Sequence, residues 1–317
     1  MRYPLLLTLA LCGCAGTVRR ILILHEEITS KVGPDHVITR FDRSFIEANR
    51  QRITIDADLT VDAAGPINPR AFDGDIHIAG RSPAIGLRLV AEIKNAKLAP
   101  TAIQLVRDAE RSRAPVRVRA VMRFWPEHAI GLPHRQGEPM PRLPNANPDH
   151  VFELHPVVRV GDIDLLATLQ TVKGYRPGNA SSTLRLYQRS ELAIRTLASR
   201  VYVKTRAGLW NDVHFQLEVT DGRPVVQDDG RYLAARARDL EGNVLVDSIR
   251  VVLVHGSPPE LAFRSLRSGD RVHVWGLPRV SFDGLARLIQ GAGTDTSWRT
   301  AKFPYEILII GIYPEGG

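Results

Sequence analysis

The chain has 317 residues, of which 44% are apolar and 24% charged, so it is long enough for two compact cores. Those proportions exclude long-range disorder, a collagen-like chain and a multi-span membrane protein. The formal charge of +8 is carried mostly by scattered arginine, 36 against 6 lysines, a skew that a GC-rich genome produces without selection for an anionic partner.

Both cysteines, Cys12 and Cys14, lie in the first fourteen residues, which excludes a downstream disulfide or thiolate metal site. Arg2, the apolar run 5–11 and the sequence Leu11-Cys12-Gly13-Cys14 have the shape of a secretory signal. They resemble a bacterial lipobox. That resemblance implies cleavage after Gly13, a lipid on Cys14, and an envelope location at the outer membrane or the periplasmic face. No later stretch has eighteen consecutive apolar residues, so the lipid is the expected membrane attachment.

Residues 14–39 read as a tether or first element. Ser44 and Glu47 stand at capping-box spacing ahead of Ala48, which predicts a small helix flanking or plugging a barrel. Ile53, Ile55, Ala57, Leu59 and Val61 then alternate with polar residues, the period of a half-buried strand. Ile76 and Ile78 mark a second strand, and Leu87, Leu89 and Ala91 a third. Pro100 opens a helix with Ile103, Val106 and Ala109 on one face. Val116, Val118, Ala120 and Met122 form a fourth strand, and Phe152, Leu154 and Val158 a fifth. Three strands, a helix and two strands is the order of an OB-like barrel. The proline-rich link 129–148 before the fifth strand is long enough to be functional.

The same order is read a second time. Its strands are placed at 201–205, 212–219, a bent hairpin 232–254, 271–275 and 305–313, with a short helix at 259–266 and a long link at 278–304. Asp75-Ile76-His77 is matched with Asp212-Val213-His214, and Phe152-Glu153-Leu154 with Tyr305-Glu306-Ile307. A helix-like stretch is expected at 186–197. The expected fold is mainly β: two tandem OB-like five-stranded barrels with a few short helices. The expected organisation is a signal at 1–13, the tether at 14–39, a first barrel at 40–164, a connector at 165–199 and a second barrel at 200–317.

Asp73-Gly74-Asp75-Ile76-His77, Val90-Ala91-Glu92-Ile93, Glu127-His128 and Glu153-Leu154-His155-Pro156-Val157 resemble segments of a set of uncharacterised bacterial proteins with D-G-D-x-H and E-L-H-P-V motifs. The resemblance covers residues 52–160 and implies a small OB-like barrel without a named activity. Phe124-Trp125-Pro126 and the proline-rich insertion depart from that pattern.

Residues two apart on a strand share a face about 6–7 Å apart. Asp75 and His77 therefore point together, as do Glu153 and His155. With His128 and His150 at the link, the set Asp75, His77, His128, His150, Glu153 and His155 offers donors suited to zinc or a similar ion. The same residues serve equally as buried hydrogen-bond partners that pin a loop. Arg119, Arg123, Phe124 and Trp125, with Trp210, Trp275 and Trp298, are candidates for a stacking surface, of which Arg123, Trp125 and Trp275 are singled out. No nucleophile elbow, P-loop or dinucleotide fingerprint is present. The favoured expectation is a non-enzymatic binding or scaffolding module with no cofactor, whose partners are the membrane through Cys14 and an envelope protein or polymer. A metal-dependent hydrolase in the first barrel is the alternative. Binding of an anionic polymer or single-stranded nucleic acid is the third reading, with nucleic acid an odd partner for an envelope protein.

Overall fold

The computed structural model describes residues 36–314 except 70, 71, 130–132, 207, 221, 222 and 294. Cys12, Cys14 and the expected signal and tether up to residue 35 lie outside the described residues. In chain order the first elements are β1 (His36–Asp42), α1 (Arg43–Asn49), β2 (Thr54–Ile67), β3 (Ile76–Arg81), β4 (Leu89–Ile93), α2 (Pro100–Ser112), β5 (Val116–Phe124), β6 (His134–Arg135), β7 (Phe152–Val160) and β8 (Ile163–Asp164). They are followed by β9 (Gly178–Asn179), α3 (Ala180–Arg189), β10 (Glu191–Leu197), β11 (Arg200–Arg206), β12 (Val213–Val219), β13 (Val225–Gln227), β14 (Gly230–Arg238) and β15 (Val244–Val254). The chain ends with α4 (Pro258–Phe263), β16 (Arg271–Val280), α5 (Phe282–Gln290), β17 (Arg299–Lys302) and β18 (Tyr305–Ile312).

The fold is mainly β and contains two closed five-stranded barrels. In the first, β2, β3, β4, β7 and β5 are hydrogen-bonded in that order, and β5 returns to β2. In the second, β12, β14, β15, β18 and β16 follow the same cycle. Each barrel thus runs first, second, third, fifth, fourth strand, with the third and fifth parallel and a helix, α2 or α4, between the third and fourth. That is the OB arrangement. Alternation explains the closure: Ile55, Ala57, Leu59 and Val61 on β2 point into the first core, as Phe215 and Leu217 on β12 point into the second.

Every strand read in the first barrel is present, with three departures: Ile53 and Val158 turn outward to the second barrel instead of into the first core, and β4 starts at Leu89, past Leu87. The second barrel is shifted. Its first strand is β12, not 201–205, and the hairpin 230–254 supplies its second and third strands rather than the third alone. Asp212 therefore precedes a first strand whereas Asp75 precedes a second, so the two Asp–x–His segments are not equivalent. Glu153 and Glu306 do occupy the same place, opposite Arg123 and Arg279 on the fourth strands. The helix-like stretch at 186–197 is the end of α3 followed by β10. Asn179 caps α3 by accepting from the Ser182 backbone N–H, and an extended Ser190 ends it. Helix α1 begins at Arg43, and its N-cap Asp42 makes no side-chain capping bond, so the expected capping box is not formed.

The segment 201–205 belongs to a third sheet in the order β17, β10, β11, β1, β6. Its two edges come from the long links before the last strands: β6 from the first barrel and β17 from the second. Gln136 fastens the first link. Its backbone N–H donates to the Arg40 carbonyl at 2.9 Å, its side-chain amide donates to the Ile85 carbonyl at 2.7 Å, and its side-chain oxygen accepts from the Asp42 N–H at 2.8 Å. Phe41 meets Phe124 at 5.0 Å and Phe282 at 5.8 Å, joining this sheet to the end of β5 in the first barrel and to α5 in the second link.

The barrels pack through residues that point outward from each core. Ile53, Val121 and Val158 of the first meet Tyr232, Val252, Trp275, Leu277, Leu308 and Ile310 of the second in one buried cluster. Among the described residues no helix is long and apolar enough to cross a membrane.

Candidate functional site

The acidic and basic residues read from the sequence gather on the outer side of β3, β4 and β7, where the second barrel and the first link cover them. His77 pairs across the ladder with Glu92, and Glu153 lies between Val90 and Arg123 in register. Alternation sends all of these side chains away from the barrel core. The sites of Asp75, Glu92, Arg123, His150, Glu153 and His155 are nevertheless buried.

His155 is the centre of the network. Its Nδ1 lies 3.4 Å from Glu92 Oε2 and 3.3 Å from Glu153 Oε2, while Nε2 lies 3.5 Å from Asp75 Oδ2. Burial alone would lower its pKa, but Glu92, Asp75 and Glu153 outweigh burial and hold it up at about 10. With a carboxylate at each nitrogen, the imidazolium is the form the site favours. Burial keeps the Glu92 carboxyl above its ordinary range against the pull of His155 and His77. Burial opposes ionisation of Glu153 too, yet Arg123, His150 and His155 hold that carboxyl well below the ordinary range.

Two fixed cations complete the network. Lys94 Nζ lies 2.6 Å from Asp75 Oδ2 and 4.0 Å above the Trp275 ring. Trp275 donates through Nε1 to Asp212 Oδ1 at 2.7 Å, and Tyr175 donates its hydroxyl to Asp212 Oδ2 at 2.6 Å. Arg123 binds Glu153 and donates through Nε to the Pro278 carbonyl at 2.7 Å. The first barrel's acids are thereby wired to the second barrel's strands.

Arg123, Trp125 and Trp275 are 1%, 0% and 0% exposed, so the stacking surface expected of them does not exist. Trp125 packs edge-on against Tyr187 at 5.1 Å and Phe303 at 5.4 Å. Phe124 is buried as well, whereas Trp210 is open. Sequence reading passed over Lys94, although it lies two residues beyond Glu92 on the same side of an outward-facing ladder and is one of only 6 lysines in an arginine-rich chain. Glu127 enters that reading only as part of a motif, not among the candidate site residues; burial pushes its carboxyl up to about 8 against the pull of Arg123.

Among the described residues, two trios have donor atoms within 4.8 Å of one another: Asp75, Glu92 and His155, and His128, His150 and Glu153. The first does not fit a metal ion, because the Lys94 ammonium stands at Asp75 Oδ2, the same oxygen that faces His155 Nε2. In the second the cation, Arg123, stands at Glu153 Oε2, while the other oxygen, Oε1, faces His150 Nε2. His150 donates Nδ1–H to the Pro148 carbonyl at 2.7 Å and turns Nε2 toward Glu153 Oε1 at 3.3 Å. His128 stacks on the His150 ring at 5.0 Å, and burial lowers its pKa to about 4. His77 belongs to neither trio and lies 3.7 Å from Glu92.

A second charged constellation spans β12, β14, β15, β16 and α5, with partly exposed arginines around two largely buried acids. Glu218 accepts from Arg236 at 2.8 Å, Arg238 at 2.7 Å and Arg271 at 3.0 Å. Asp283 is held by Arg50 at 2.8 Å and Arg287 at 2.7 Å, with Arg250 at 3.5 Å. Arg250 lies over the Tyr232 ring at 3.7 Å. Three further carboxylates share these guanidiniums: Asp247 lies 3.5 Å from Arg236, Glu306 3.4 Å from Arg250 and Glu47 3.7 Å from Arg50, so six arginines meet five acids.

No family model and no curated protein matches the chain. Among solved structures, the HINa domain of Ifi202 in complex with 20-bp dsDNA aligns at 9% identity over 78% of this chain and 94% of that one, with a TM-score of 0.17. A structure reported as the molecular basis for abrogation of activation of pro-inflammatory cytokines aligns at 10% identity over 80% and 91%, with a TM-score of 0.16. Likeness at that level carries nothing about what this chain binds.

Proposed function

We propose that the protein is a cell-envelope lipoprotein, held at the membrane through Cys14, whose paired barrels form one rigid non-enzymatic module that binds an anionic polymer or protein surface. The observation behind this reading is the set of arginines on β14 and β15, Arg236, Arg238 and Arg250, beside Glu218 of β12 and Asp283 of α5. In an OB barrel the second and third strands present the binding face, and β14 and β15 are the second and third strands of the second barrel. The same face of the first barrel is closed by its long link. Arginine's fork suits carboxylate, sulfate and phosphate groups alike. The hydrolase alternative draws on the His128–His150–Glu153 trio alone, since Lys94 takes the cation position in the other.

Two measurements test the reading. The protein should bind immobilised heparin, and the pair Arg236→Glu and Arg250→Glu should elute at markedly lower salt with an unchanged circular dichroism spectrum. Elution of that variant at the wild-type salt concentration would remove the anionic face as the binding surface. Cys14→Ser should move the protein from the membrane fraction to the soluble fraction of cells, and an unchanged membrane fraction would sink the lipid anchor.

A further inference from the structure

We infer that His128, His150 and Glu153 bind one zinc-class divalent ion that ties down the link between the fourth and fifth strands of the first barrel. The inference goes beyond the binding reading and stands whether or not an anionic partner exists. Two imidazole nitrogens and one carboxylate oxygen form a borderline donor set of the kind zinc prefers over magnesium or calcium. Zinc–nitrogen bonds of about 2.0–2.1 Å put tetrahedral donors about 3.4 Å apart. The His150–Glu153 pair meets that spacing at 3.3 Å. His128 lies within the 4.8 Å envelope, its ring stacked on His150 at 5.0 Å and its side chain 31% exposed, so binding an ion would turn that ring inward.

The surroundings orient the donors. The Pro148 carbonyl takes the His150 Nδ1 proton and leaves Nε2 as the metal-facing atom, the arrangement that fixes ring and tautomer in metal-bound histidines. Arg123 occupies Glu153 Oε2, and its Nε is pinned to Pro278, so Oε1, now hydrogen-bonded to His150 Nε2 at 3.3 Å, is the oxygen an ion would take in exchange for that bond's proton. Glu127 adds the independent sign. Its Oε2 is buried without a hydrogen-bond partner and lies 3.9 Å from His128 Nε2, where it supplies a further donor or accepts from a water at the fourth position. One ligand comes from the start of the link, one from its end and one from β7, so an ion closes the loop much as a crosslink would.

The test uses the purified protein with zinc alone, by equilibrium dialysis and metal analysis, and cobalt as the spectroscopic probe. The expected result is about one equivalent of zinc, a higher unfolding temperature with zinc than with chelator, and at least about a tenfold loss of affinity in His128→Ala. Asp75→Asn should keep wild-type affinity. Cobalt on the unaltered protein should give the intense visible bands of a four- or five-coordinate site, a readout that needs no variant to fold. No bound zinc, an equal affinity in His128→Ala, a loss in Asp75→Asn as large as in His128→Ala, or the weak spectrum of octahedral cobalt would each overturn the assignment.

Discussion

Arg123 and Arg279 reach across the barrel interface in opposite directions, each to the carbonyl of the residue that precedes the other. Arg123 Nε donates to the Pro278 carbonyl at 2.7 Å, and Arg279 Nη1 donates to the Met122 carbonyl at 2.8 Å. Each arginine is paired with the glutamate opposite it on the fifth strand, Glu153 or Glu306. The two fourth strands therefore face each other through a reciprocal clasp.

Removing one half of that clasp strands a buried carboxylate. Arg279→Met should destabilise the protein by about 3–5 kcal/mol, because Glu306 loses its main partner while the Ile53, Met122 and Arg52 carbonyls lose a donor. The double variant Arg279→Met with Glu306→Leu should recover part of that loss, since no uncompensated charge remains. Urea unfolding of the three proteins measures both. A double variant no more stable than the single would show that the carbonyl bonds, not the ion pair, dominate.

Gly276 sits where β16 shifts register against β18, and a Cβ there would stand 2.5 Å from Ile307 Cγ2 and 2.8 Å from Phe215 Cε1. Both neighbours are in the second core, so they cannot withdraw into solvent. Gly276→Ala should cost about 1–3 kcal/mol through overpacking. The same unfolding assay reads it, and a neutral result would mean that the second core yields at this point.

His214 lies 3.9 Å from the Tyr313 ring and 5.8 Å from His273. Burial first, and His273 second, lower its pKa from 6.5 to about 4. Between those values the unfolded chain takes up a proton that the folded one refuses, so stability falls as pH drops from 6.5 toward 4 and no further below it. His214→Phe keeps a ring against Tyr313 and removes the titration. Its unfolding temperature should fall less than wild type between pH 6.5 and 4, and parallel curves would show that other groups carry the acid limb.

The first barrel was legible because its strands alternate cleanly and its helix opens at Pro100, signals that depend only on neighbours in the chain. Residues 201–205 have the same alternation, yet β11 pairs with β1, about 160 residues earlier in the chain, and nothing local to Val201 or Thr205 records a partner so distant. The site divides in the same way. Asp75, His77, Glu153 and His155 share a side because the strand period is two. That this side is covered follows from the packing of Trp275 and Pro278 onto it, so Arg123 and Trp275 read as surface residues and Lys94 as unremarkable.

The central placement of β1 has a mechanical consequence. It pairs along its whole length with β11, from His36 opposite Arg206 to Asp42 opposite Arg200, and on its other side with β6. Any pull transmitted through the residues before His36 runs along the strand axis and loads those ladder bonds together in shear instead of peeling them one at a time. A body held by that end would carry force through the β1–β11 ladder of the third sheet, apart from the ladders that close either barrel.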